Sequence, residues 1–93
     1  MICFLDHERN ELVSIESIKE SYRENIASGG IDLDITYNEY VKMICDPRLG
    51  FCSKVFSLSD IMIDYFGNAY FVADLDPYDM DYYRLANAGD IKT

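Results

Sequence analysis

The stretch SLSDIMIDYFGNAYFVADLDPYDMDYY, residues 57–83, decides how the rest of the chain is read. It holds six aspartates, five tyrosines and two phenylalanines, and no lysine, arginine, histidine or glutamate. Its first part admits two foldings. Leu58, Ile61, Met62 and Tyr65 match a helical stripe, with Ser57 as cap and Gly67 as stop. Against that, Asp64-Tyr65-Phe66-Gly67 has aspartate first and glycine fourth, the chemistry of a type I turn, between the β-rich flanks Asp60–Ile63 and Asn68–Asp74. The turn chemistry favours a hairpin near 60–74. At the far end Asp76 caps a predicted helix over 77–88, with Pro77 in its first position, Asp79 in its third, and Leu75 and Met80 as a hydrophobic staple. Tyr78, Tyr82 and Leu85 form the expected inward stripe of that helix, Gly89 its end, and Asp90–Thr93 a frayed tail.

Working back toward the start, Ile2–Leu5 and Leu12-Val13 read as short strands around the polar turn Asp6–Asn10. Ser14 caps a helix over 15–28, with Val13 stapled to Ile18, and Ile15, Ile18, Tyr22 and Ile26 share one face. Gly29-Gly30 stops it, because glycine tolerates the left-handed conformation. Alternation of apolar and acidic residues over Gly30–Ile35 predicts a half-exposed extended segment. Thr36 with Glu39 is a capping box for a helix over 37–45, whose inward stripe is Tyr37, Tyr40, Val41 and Ile44 and whose stop is Asp46-Pro47. A turn at Pro47–Gly50 leads into a strand over Phe51–Phe56. The sum is an α+β fold: a small antiparallel sheet packed with about three helices.

Ninety-three residues predict one domain, 1–93, with a modest core. Hydrophobic content of 49% supports folding, and a net charge of −9 opposes binding to nucleic acid or to anionic membranes, which need lysine and arginine. No apolar run reaches the ~18 residues of a membrane span, and MICFLDHERN lacks the basic start and apolar stretch of a secretory signal. Cys3, Cys45 and Cys52 are odd in number and widely spaced. That favours reduced, mostly buried thiols in a cytoplasmic protein, while leaving a single Cys45–Cys52 bridge open.

No motif fixes a reaction, a cofactor or a metal. Asp74, Asp76, Asp79 and Asp81 crowd together as oxygen donors, but counted from Asp74 a calcium loop would find Tyr78 at its fifth position, Asp79 at its sixth and Leu85 at its twelfth. Cys3, His7, Cys45 and Cys52 lack the close cysteine pair from which structural zinc sites are built. His7 has no nucleophile at a meaningful spacing, and carboxylate pairs such as Asp60 and Asp64 are inevitable among 17 acids. The chain is expected not to be an enzyme.

What remains is an interaction surface. Asp60, Asp64, Tyr65, Phe66, Asp74, Asp76, Asp79, Asp81 and Tyr83 are the candidate partner-binding residues, rings for an interface core and carboxylates for a rim that steers a basic partner. In size, charge and the aspartate–tyrosine mix of Asp60–Tyr83, the chain resembles the small acidic phage and mobile-element inhibitors of bacterial defence, the anti-CRISPR and anti-restriction proteins. Those share no single fold, so the resemblance carries over no residue roles. It implies an acidic inhibitor, partly a DNA mimic, that occupies a basic nucleic-acid-binding effector or nuclease in the cytoplasm of a host cell. An immunity protein or antitoxin against a basic nuclease toxin has the same surface chemistry. A homo-oligomeric assembly module, its aromatics buried against a second copy, is the reading from a different class.

Overall fold

In the computed structural model, which describes residues 1–93, the first strand is the innermost part of the chain. Strand β1 (Cys3–Asp6) pairs antiparallel with β2 (Glu11–Ser14) across a turn at 7–10 that Asn10 closes at φ 52°. Asparagine is among the few residues that enter that region readily. The other edge of β1 pairs antiparallel with β3 (Cys52–Val55). Successive side chains of a strand point to opposite faces. Accordingly Cys3 and Leu5 enter one hydrophobic cluster and Phe4 enters another, all three at most 2% exposed.

The cluster around Phe4 is helical on its far side. Helix α1 (Ile15–Ala27) starts where the Ser14 side chain accepts the Ser17 N–H at 3.0 Å, and it ends before Gly29 at φ +77°. Helix α2 (Tyr37–Ile44) starts in the expected capping box: Thr36 Oγ1 accepts the Glu39 N–H, and Glu39 Oε1 accepts the Thr36 N–H. Ile18 from α1 and Tyr40 and Val41 from α2 pack with Phe4 and Cys52, with Tyr22, Tyr37 and Ile44 around them. The link between the helices departs from expectation. Gly30–Ile35 forms no strand; it bends through a turn in which the Ile35 N–H donates to the Asp32 carbonyl, leaving Leu33 exposed. Ile31 and Ile35 reach the helical cluster from that turn, and the Tyr22 hydroxyl donates to the Ile35 carbonyl. Alternation there arises from two anchors in a bent loop.

The other face of the sheet meets a second, smaller sheet. Strand β4 (Ile61–Ile63) pairs with β5 (Ala69–Phe71) in the predicted hairpin, though with shorter arms than 60–74. The helical alternative survives as one 3-10 turn, Leu58–Asp60, capped by Ser57. Ile61, Ile63 and Ala69 pack on Cys3, Leu5, Leu12 and Val55. The result is three layers: helices, a four-stranded sheet with β1 and β2 at its centre, and a three-stranded sheet with β4 at its centre.

The expected helix over 77–88 is corrected. The chain forms a 3-10 helix, Pro77–Tyr82, then turns extended at Tyr83 and runs as β6 (Arg84–Leu85) along the free edge of β4, pairing Ile63 with Arg84 and Met62 with Leu85. All of β4 is buried, and its peptide groups need partners on both edges. A helix continued to residue 88 would have left one edge bare. The tail is corrected too: Asn87 caps a short 3-10 turn over Ala88–Asp90, and β7 (Ile91–Lys92) adds parallel to β2, with Ile91 packed on the sheet-to-sheet cluster. No helix is long and apolar enough to cross a membrane.

Because Phe4 is fully buried between the helices and the sheet, Phe4→Ala is expected to cost ~3–5 kcal/mol, a large share of the ~5–15 kcal/mol that holds a domain folded. Urea unfolding followed by far-ultraviolet circular dichroism measures it. A loss under ~1 kcal/mol would show that the Phe4 contacts do not hold the layers together.

Candidate interaction surface

Two of the candidate rings sit where the hairpin reverses. The Gly67 N–H donates to the Asp64 carbonyl at 3.1 Å, and Gly67 takes φ +85°, a conformation that favours glycine. One carboxylate oxygen of Asp64 accepts the N–H groups of Phe66 and Asn68, both at 2.9 Å, and the other accepts the Asn68 side-chain amide at 3.3 Å. Partial burial pushes the Asp64 carboxyl upward, yet these donors together hold it below its ordinary value. Asp64 is therefore the brace of the turn. The brace leaves Tyr65 and Phe66 standing on its outside, 92% and 90% exposed.

The segment beyond β5 is set by 3-10 geometry. With three residues per turn, positions i and i+3 eclipse one another. Pro77, Met80 and Tyr83 form one column, of which Met80 and Tyr83 are half-buried. The other two columns, Tyr78 with Asp81 and Asp79 with Tyr82, face out. Hence Tyr78 and Tyr82, expected to point inward, are 93% and 67% exposed, and Leu85, expected to do the same, is 58% exposed on the edge strand β6. Asp76 caps this helix by accepting the Tyr78 N–H at 3.0 Å.

The two pieces face each other across a groove of about 400 Å³ lined by Ile63, Asp64, Tyr65, Gly67, Asp81, Tyr82, Tyr83 and Arg84. It brings together four of the candidate residues, Asp64, Tyr65, Asp81 and Tyr83. Asp60, Phe66, Asp74, Asp76 and Asp79 lie outside its lining. Tyr83 packs edge-on against Tyr70 at 6.0 Å between ring centroids. Burial first, and then the Asp64 carboxylate, push the Tyr70 phenol upward. Sequence reasoning missed Tyr78, Tyr82 and Arg84. The 3-10 columns would have exposed the two tyrosines, but the Asp-Pro start is common to α and 3-10 helices.

The electrostatics are one-sided. Ion pairs form between Lys19 and Glu16, Arg23 and Glu20, Arg48 and Asp46, and Arg84 and Asp90. None of them engages Asp60, Asp64, Asp74, Asp76, Asp79 or Asp81. The one cation lining the groove, Arg84, is held by Asp90 in a bidentate pair at 2.7 and 2.8 Å. That pair holds the Asp90 carboxyl down at about 2. No three histidine, cysteine, aspartate or glutamate side chains converge as metal ligands. His7 lies away from the groove, its Nε2 2.7 Å from the Ser53 hydroxyl.

Comparison with protein-family models, with curated proteins and with solved structures returns no match for this chain.

Asp90 and Asp64 both have folded-state pKa values below their ordinary ones, so each contributes stability that is full above the unfolded carboxylate pKa and is lost as pH falls through the folded value. For Asp90 that window runs from the usual 3.8 down to about 2. The urea midpoint of the wild type is expected to fall across this window more steeply than that of Asp90→Asn. Parallel curves for the two proteins would remove the Arg84–Asp90 pair as the cause.

Proposed function

We propose that this protein is an acidic inhibitor that occupies a basic, nucleic-acid-binding surface of another protein. The observation that carries the reading is the outward set of rings, Tyr65, Phe66, Tyr78 and Tyr82, standing among aspartates that have no cation of their own. A lysine- or arginine-rich cleft that binds phosphates offers the missing countercharges, and association with it is steered over the ~8–10 Å of a Debye length. In the 3-10 helix a ring and a carboxylate eclipse one another about 6 Å apart along the axis, Tyr78 with Asp81 and Asp79 with Tyr82. Carboxylates so placed substitute for phosphates, and rings beside them stack on guanidinium planes or on the aromatic platforms that receive bases. The stiff tip adds to this, because Tyr65 and Phe66 are presented by a turn that is already ordered and loses little freedom on binding.

Capture of the partner from cells on immobilised protein, with mass spectrometry of what is retained, tests the reading. The expected partner is basic, is displaced by duplex DNA or by RNA, and dissociates as salt rises. Sedimentation of the inhibitor alone is expected to give a monomer mass independent of concentration; a mass that doubles with concentration favours the homo-oligomeric module instead. Combined Asp74→Asn, Asp76→Asn, Asp79→Asn and Asp81→Asn substitutions keep a capping side chain at position 76 and are expected to slow association. Tyr65→Ala and Tyr82→Ala are expected to raise the off-rate, by about 30-fold where the ring is a hot spot worth ~2 kcal/mol. Binding that is unchanged in the quadruple variant would take the acidic segment out of the mechanism.

A further inference from the structure

The thiols of Cys45 and Cys52 lie on the opposite layer from the groove, among the helices. Cys45 ends α2 and Cys52 opens β3, and the loop between them folds back so that the two sulfurs stand 3.8 Å apart. That loop is braced. Asp46 accepts the Leu49 N–H on its carbonyl and the Arg48 N–H on its carboxylate, the Arg48 guanidinium closes on the same carboxylate at 2.8 Å, and Gly50 takes φ +66°. The sulfurs are about 1.8 Å farther apart than the ~2.05 Å of a disulfide.

The two thiols open onto different surroundings. Cys45 lines a cavity of about 430 Å³ with Lys42, Lys54, Asp46, Pro47 and Ser53. Asp46 is neutralised there by Arg48, so two ammonium groups set the charge of that mouth. Cys52 lines a smaller cavity of about 180 Å³ together with Asp6 and Glu8. Its thiol is pushed up to about 12, by burial first, then by Cys45 and by Asp6. An anionic reagent therefore meets Cys45 beside lysines and is repelled from Cys52 by carboxylates. Cys3 is fully buried in the other cluster and lines neither cavity.

We propose that Cys45 and Cys52 are a redox-reactive dithiol that reduces a carboxylate-bearing low-molecular-weight disulfide, with Cys45 attacking and Cys52 resolving. The Cys45 thiolate attacks one sulfur of the reagent; its S–S bond breaks, and one thiolate leaves and takes up the proton that Cys45 gave. The Cys52 thiolate then attacks the Cys45 sulfur, and the second thiolate leaves and takes up the proton from Cys52. One external disulfide becomes two thiols, and two protein thiols become one Cys45–Cys52 bridge. The second step is intramolecular between sulfurs already in contact, which compensates for the small thiolate fraction of Cys52. The bridge ties the end of α2 to the start of β3 across a short loop, constraining the unfolded chain.

The test uses the reduced full-length protein, glutathione disulfide as anionic probe, cystamine as cationic probe and 2-hydroxyethyl disulfide as neutral probe, with acid quenching and peptide mapping by mass spectrometry. The wild type is expected to lose two hydrogens, to join the peptides containing residues 45 and 52, and to leave Cys3 as a thiol, with a raised thermal midpoint. Cys52→Ser is expected to hold a single glutathione adduct on Cys45. Lys42→Gln with Lys54→Gln is expected to slow the reaction with glutathione disulfide several-fold and to leave the neutral probe unchanged. A stable glutathione adduct on the wild type, a first adduct on Cys52 or Cys3, or faster reaction with cystamine than with glutathione disulfide overturns the proposal. Mapping and the comparison of probes need only the wild type, so they decide the matter even if a variant fails to fold.

Discussion

Strand β1 is buried on both faces, and a strand so placed imposes the layers around it. Phe4 needs an apolar cover on one side, and Cys3 and Leu5 need one on the other. The helices supply the first and the β4 hairpin the second. Each fully buried large side chain is worth ~1.5–3 kcal/mol, so neither cover is dispensable in a chain of 93 residues. Both edges of β1 are also taken, by β2 and β3, which satisfies its peptide groups in a place water does not reach. The same demand passes outward to β4, whose three residues are buried and whose second edge recruits β6 from far along the chain.

That recruitment shapes the candidate surface. Pulling Arg84–Leu85 into the small sheet draws the preceding segment across the end of the hairpin, so that Asp81, Tyr82 and Tyr83 come to face Asp64 and Tyr65. The molecule is elongated, 47 Å in its longest extent, with a radius of gyration of 14.4 Å against about 12 Å for a rounder chain of this length. A body of that shape has little interior to offer. Its two clusters are filled by Phe4, Ile18, Tyr40, Val41 and their neighbours on one side, and by Leu5, Leu12, Ile61 and Ile63 on the other. No tyrosine or phenylalanine of the hairpin tip or of the 3-10 helix is needed to complete them.

The legible parts of this fold were those specified within a few residues. Ser14, Thr36 with Glu39, and Asp76 each cap through a side chain and a backbone N–H two or three residues on, so the starts of the three longest helical segments could be read directly. The hairpin was legible for the same reason, since Asp64 and Gly67 carry the chemistry of their own turn. Strands β6 and β7 were not legible. Each spans two residues, too short for periodicity, and each exists because a distant strand has an edge to cover. The candidate site was correspondingly half-read. The rings at the tip follow from the turn, but Tyr78 and Tyr82 depend on whether the helix repeats every 3 residues or every 3.6, and a cap of aspartate and proline does not specify which. Asp64, read both as the first residue of the turn and as a candidate for binding, braces the tip through the Phe66 and Asn68 amides, which adds to its stiffness and leaves its negative charge in place.

The acidity of the surface follows from the same geometry. In an α-helix over 77–88, tyrosines four apart would have turned inward and left the aspartates as an ordinary solvated face. The 3-10 repeat places one ring and one carboxylate in each outward column instead. A net charge of −9 is a self-repulsive cost to a small domain, and six of its aspartates have no lysine or arginine within salt-bridge distance. Under the function proposed above, a basic partner would bring to Asp74, Asp79 and Asp81 the countercharges that the chain itself does not supply. The rings then set which cations fit. A guanidinium plane can lie on Tyr78 or Tyr82 while pairing with the adjacent carboxylate, whereas an ammonium has the charge without the flat face. The function proposed above therefore calls for a partner surface rich in arginine, whose guanidinium contacts phosphate bidentately.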